Sequence, residues 1–192
     1  MFPLSSIVYT DLDPLLLGSI SKFKASSDGM EYRLYVTRSE VPEDAVDSLS
    51  AMELFLSYSK PFPRNLLAMI PRPESREGLM IEYDPTAVLS MCQVKGLPRK
   101  LASKLDVLCS KAPVFNQEKG PRSLYGRVQV ESSKNFQLCM FDPDDTERTE
   151  GDVVLQFGRA TEERDDIFIL DFSWPFSAHT AFAMALSAFD KK

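Results

Sequence analysis

Residues 174–190, WPFSAHTAFAMALSAFD, constrain the fold more than any other stretch of this chain. Pro175 suits a first helical turn, and the apolar or small residues that follow are interrupted only by Ser177, His179, Thr180 and Ser187. A surface helix carries one apolar stripe, whereas here Phe176, Ala178, Ala181, Phe182, Ala183, Met184, Ala185, Leu186, Ala188 and Phe189 surround the axis. Such a helix has to be enclosed. At roughly 15 residues it spans about 22 Å, too short for a bilayer, so protein must form the enclosure.

Upstream, short apolar runs alternate with turn residues, a pattern that favours strands. Runs at 19–24, 32–37, 53–58, 66–70 and 79–83 read as strands, with Asp28 and Gly29 as a turn between the first two. Residues 123–130 (SLYGRVQV) and 134–141 (KNFQLCMF) have the spacing of a hairpin about Glu131, Ser132 and Ser133. A second hairpin is expected from 153–158 (VVLQFG) and 167–172 (IFILDF), joined by a charged loop. Residues 97–108, LPRKLASKLDVL, fit a helix or a strand and turn, and 41–49, VPEDAVDSL, a helical turn or a loop. The predicted fold is mostly β: a closed antiparallel β-barrel around a central hydrophobic C-terminal α-helix, because closure removes exposed edges and walls in the helix. One domain spans residues 1–192, with 1–18 as a poorly ordered or edge segment.

The net charge of −6 argues against a general nucleic-acid binder, though a local basic patch is compatible with it. Cys92, Cys109 and Cys139 are odd in number and lack paired metal-ligand spacing, so they read as buried thiols of a reducing compartment. No basic start precedes the apolar N-terminal residues and no run of 18 apolar residues occurs. The expected location is cytoplasmic, with peripheral membrane attachment open.

Catalysis has little to work with. The one histidine, His179, falls inside the expected helix and reads as a packed or rim residue rather than a general base. No catalytic residue, cofactor or metal is expected. The acidic run 142–152 (DPDDTERTEGD) lacks the spacing of a calcium loop and reads as a solvated loop. Asp171 is read as a favourable charge near the N-terminal end of the helix. The remaining signal is basic: Lys60 and Arg64 about Pro61 and Pro63, then Arg72 and Arg76, then Lys95, Arg99 and Lys100. Arginine offers a phosphate bidentate contact and lysine a point charge.

Four segments in order resemble the Tubby-like proteins: KAPVFN (111–116), GRVQVESSKNFQL (126–138), VVLQFGR (153–159) and IFILDFSWPFSAHTAFAMALSAFD (167–190). VKGLPRKL (94–101) and EYRLYV (31–36) are similar to earlier family segments. The resemblance implies a barrel, twelve-stranded in the family, threaded by the C-terminal helix. It also implies binding of phosphatidylinositol 4,5-bisphosphate at the plasma membrane through a basic groove, with ciliary or nuclear roles expected from the resemblance alone. This chain departs from the family pattern. The counterpart of the family's dense basic strand is YSKPFPRNLLAMI (58–70), where only Lys60 and Arg64 remain, and the following arginine segment has no counterpart. The span after 94–101 is shortened, and no F-box is expected before the barrel. The expectation is a monomeric, non-enzymatic, phosphoinositide-binding adaptor with Lys60 and Arg64 as phosphate contacts and an unidentified protein partner. The alternative is a barrel that has lost lipid binding and serves as a protein-interaction scaffold.

Overall fold

A computed structural model describes residues 5–9, 23–26, 30–35, 52–59, 65–72, 87–88, 99–112, 127–128, 130–142, 144 and 151–189. The described strands are β1 (Ser5–Tyr9), β2 (Phe23–Ala25), β3 (Glu31–Tyr35), β4 (Met52–Ser59), β5 (Asn65–Pro71), β6 (Leu105–Ser110), β7 (Phe136–Met140), β8 (Val153–Arg159) and β9 (Phe168–Phe172). A short helix α1 (Arg99–Ala102) precedes β6, and α2 (Ala178–Ser187) follows β9. The strands form one sheet in the order β1-β9-β8-β7-β6-β5-β4-β3-β2. Every pairing in it is antiparallel.

Period-two alternation divides the strands into two faces. Leu54, Leu56 and Tyr58 of β4, Leu66, Ala68 and Ile70 of β5, and Leu155 and Phe157 of β8 join Ala181, Ala183, Met184 and Ala185 of α2 in one core. On the other face Phe55, Leu67, Met69, Leu105, Val107 and Cys109 form a second apolar cluster, covered in part by Val88 and by Leu101 of α1. Double-sided burial explains why β5 reads as a near-continuous apolar run.

The helix contacts β9 on one side and β3 and β4 on the other. In the sheet order β9 and β3 are six steps apart, about 29 Å across a flat sheet at roughly 4.8 Å per step. A helix of about 10 Å diameter cannot bridge that distance. The sheet therefore curls around α2 as a half-barrel. Among the described residues β1 and β2 are its two ends, and no pairing joins them.

Several expectations change. The helix has 10 residues and starts after Ser177, whose hydroxyl accepts from the Thr180 N–H while the Thr180 hydroxyl accepts from the Ser177 N–H. Pro175 thus lies outside the first turn, after a cis peptide with Trp174. Nor is α2 buried all round: Thr180, Ala181, Ala183, Met184, Ala185 and Ser187 are buried, whereas Ala178 and Leu186 are exposed. Alanine is the best helix former and loses little when solvated, so an alanine-rich helix need not be enclosed on every side.

The ambiguous stretch 97–108 resolves into α1 and β6. Within residues 1–18 the described stretch is β1, which pairs with β9 and stands at one end of the described strand order. Among the described residues the hairpin expected between 123–130 and 134–141 is not seen: β7 pairs with β6 and β8 instead. Arg127 and Val128 are not strand residues; Val128 instead lies over Gly158 of β8, where a Cβ would overlap its methyl group. Asn135 fixes this crossing, donating to the Val130 carbonyl at 2.7 Å and accepting from the Arg159 N–H at 2.9 Å. The β8–β9 hairpin forms as expected. Residues 41–49 and 79–83 lie outside the described residues.

Candidate functional site

Lys60 and Arg64 lie outside the described residues, but both ends of the connection that carries them are fixed. The final β4–β5 pair is Ser59 with Asn65, so residues 60–64 join the two strands at one rim of the sheet. Just before that connection, the Tyr58 hydroxyl lies 2.6 Å from the Ser187 hydroxyl on the last turn of α2, and Ser187 also donates to the Met184 carbonyl at 2.7 Å. Tyr32 packs edge-on against Tyr58, with ring centroids 5.9 Å apart. Just after it, the Leu66 N–H donates to the Ser110 hydroxyl at the end of β6, at 3.1 Å. A basic connection thus springs from a base tied to helix and sheet.

Antiparallel order decides what shares that rim. The ends of β6 and β8, the starts of β7 and β9, and the C-terminal end of α2 all lie there. Lys134, just before β7, holds its ammonium 4.4 Å from the Phe189 ring centroid and 5.6 Å from that of Phe168. The sequence reading did not single out Lys134, because only the strand order puts it on the rim from which the connection leaves. The β8–β9 loop stands at the same rim with Glu162, Glu163, Asp165 and Asp166 exposed. Hydrogen bonds from Arg164 hold the Asp166 carboxyl below its usual value.

The described members of the other basic groups do not converge on this place. β5 separates Arg72 from residues 60–64 by its own length, roughly 20 Å. Arg72 is engaged there, donating to the buried Asp106 carboxylate at 2.7 and 3.1 Å and lying 5.8 Å from the Trp174 ring centroid. Lys100 is exposed on α1. Arg76 and Lys95 are outside the described residues, as is the Arg99 side chain. Arg33, Arg127, Arg159 and Arg164 face the carboxylates of Glu31, Asp171, Asp165 and Asp166. Asp171 is accordingly a buried β9 residue matched to Arg127, not a charge at the helix N-terminus.

His179 is a rim residue. Its Nδ1 lies 2.9 Å from the Glu53 carboxylate, tying the first turn of α2 to β4, and the neighbouring Ser177 and Thr180 hydroxyls are engaged in the helix cap. Among the described residues no group of three His, Cys, Asp or Glu side chains is placed to hold a metal ion. Of the acidic run, Asp142, Asp144 and Asp152 are described and exposed, the Asp142 carboxylate accepting from the Asp144 N–H in a local turn. No described helix is long and apolar enough to cross a membrane.

A family model described as the Tub family matches residues 55–191, well over half of the chain. Tubby-related protein 1 of Homo sapiens is 37% identical over 132 residues, covering 68% of this chain and 22% of that protein. Protein king tubby 1 of Aedes aegypti is 36% identical over 137 residues, covering 68% of this chain and 30% of that protein. Protein king tubby of Anopheles gambiae is 30% identical over 190 residues, covering 95% of this chain and 39% of that protein. The chain thus spans well under half the length of these relatives.

Proposed function

The chain belongs to the Tub family, and on that premise we propose that it is a non-enzymatic adaptor module whose β4–β5 connection binds the headgroup of phosphatidylinositol 4,5-bisphosphate at the cytoplasmic face of the plasma membrane. Lys60 and Arg64 are its phosphate contacts, and Lys134 on the same rim adds to the local positive potential. The observation that carries this reading is the anchored base, with Tyr58 tied to Ser187 and Leu66 to Ser110 on either side of the connection. A binding loop on a rigid frame loses less conformational freedom when a ligand seats. The proposal includes closure of the curled sheet into a barrel, supported by the helix touching β9, β3 and β4 together.

Co-sedimentation of the chain with phosphatidylcholine vesicles containing a few percent of this lipid tests the proposal. Binding should fall with added salt, as expected of an interfacial contact between basic side chains and phosphate. The double variant Lys60→Ala, Arg64→Ala should bind at least tenfold more weakly with an unchanged circular dichroism spectrum. Absence of binding at low salt, or equal binding by the double variant, overturns the site.

A second reading is a barrel that acts as a protein-interaction scaffold without lipid. The carboxylate partners of Arg33, Arg72, Arg127, Arg159 and Arg164 favour it, as does the acidic loop at the candidate rim. Failure of the vesicle experiment leaves this reading in place.

A further inference from the structure

Strands β7 to β9 and helix α2 make up the C-terminal part of the sheet, and the β6–β7 ladder joins them to the strands upstream. That seam is short. Its register comprises the pairs Leu108 with Met140, Cys109 with Cys139 and Ser110 with Leu138, against five pairs in β5–β6 and five in β8–β9. The middle rung is a pair of cysteines with Sγ atoms 3.8 Å apart, both reduced and both 2% exposed.

The backbone around this rung brings the two Cα atoms within reach of a disulfide, and the side chains of such a pair have to close in to complete it. Beyond its two ends, the Phe141 N–H donates to Val107 O at 2.9 Å and the Lys111 N–H to Gln137 O at 2.9 Å. In an antiparallel ladder hydrogen-bonded pairs recur every second residue, so Cys109 and Cys139 occupy such a site, where the Cα atoms stand about 5.5 Å apart. That separation falls inside the disulfide range of roughly 4.4–6.8 Å. The sulfurs already face each other, so closure needs a movement of under about 2 Å to reach bonding distance. The Gly151 turn, at φ +85°, passes close to Cys139: a Cβ there would stand 3.3 Å from the Cys139 Cβ and 3.7 Å from its Sγ.

We infer that Cys109 and Cys139 form a dithiol modification site that closes to a disulfide by exchange with a low-molecular-weight disulfide, stapling the β6–β7 seam. One thiolate attacks the small disulfide, breaking its S–S bond, forming a mixed disulfide and releasing one small thiol. The second thiolate attacks the protein sulfur of that mixed disulfide, forming the Cys109–Cys139 bond and expelling the second small thiol. Both protein thiols lose their protons and the pair is oxidised by two electrons, which reduce the small disulfide to two thiols. Because both cysteines are buried, the first attack proceeds from a local opening of the seam and is slow. The second has its partner at hand. A bond across 30 residues of sequence then restricts the unfolded chain.

The test uses the full chain incubated with oxidised glutathione, then acid-quenched, alkylated under denaturing conditions and mapped by peptide mass spectrometry. The expected product is a monomer in which the peptides holding Cys109 and Cys139 are joined with loss of two hydrogens. Its melting temperature should rise by several degrees and return on reduction with dithiothreitol. Cys92→Ala should retain the rise, while Cys109→Ala and Cys139→Ala should each lose it. Links made mainly through Cys92, glutathione adducts without the joined peptides, or a joined product with an unchanged melting temperature would each overturn the inference. Mass mapping of the unmutated chain decides the site even if a cysteine variant folds poorly.

Discussion

Gly158 is the residue at which this architecture tolerates least. Its ideal Cβ position overlaps Val128 Cγ1, lies 3.0 Å from Val128 Cγ2 and 2.9 Å from the Asn135 side-chain oxygen. Valine is stiff at χ1, and Asn135 is held at both ends by the Val130 carbonyl and the Arg159 N–H, so neither neighbour yields freely. Gly158→Ala should therefore lower stability by about 1–3 kcal/mol in urea unfolding, as overpacking does. Adding Val128→Ala should return part of the loss through a favourable coupling. If Gly158→Ala proves neutral, the crossing of residues 127–135 over β8 is not packed as described. The sequence shows Gly158 only as one glycine inside an apolar run; its purpose depends on a residue 30 positions upstream.

At the scale of elements, α2 was legible because apolar content, capping residues and length all agree. Its buried side was not, since alanines line the buried and exposed sides alike. Burial therefore decides where on the helix a charge is least tolerated. Met184 is fully buried, whereas Phe182 is half-buried. Met184→Asp leaves a carboxylate among β-sheet side chains without a partner and should abolish cooperative folding, while Phe182→Asp should be milder. Near-ultraviolet circular dichroism of the two variants makes the comparison, and equal effects would mean that α2 is enclosed on every side after all. Strands β4, β5, β7, β8 and β9 were legible from their alternation to within a few residues. The partner of β7 was not, because hairpin spacing about 131–133 is a local signal and pairing with β6 is a distant one. The same holds for the site: Lys60 and Arg64 stand out as basic residues beside prolines, but only the strand order puts Lys134 on the rim at which β4 ends and β5 begins.

For the whole molecule, the decisive fact is that one core takes side chains from every strand between β3 and β9 and from α2. Neither half of the sheet has a separate inner core, and the short β6–β7 seam alone would not couple them. The helix does so instead, through His179 with Glu53 at one end and Tyr58 with Ser187 at the other. Unfolding should then be a single transition. Trp174, the one tryptophan, sits between β9 and α2 and against Arg72, so it reports the C-terminal part and its junction with β5, while far-ultraviolet circular dichroism reports the whole sheet. Their thermal midpoints should coincide. Met184→Ala should move both together by roughly 5–15 °C, the shift implied by a cavity cost of about 2–5 kcal/mol in a chain of this size. A tryptophan signal that melts early while the sheet signal persists would mean that β7–β9 and α2 are a separate unit, held to the rest by the seam rather than by a common core.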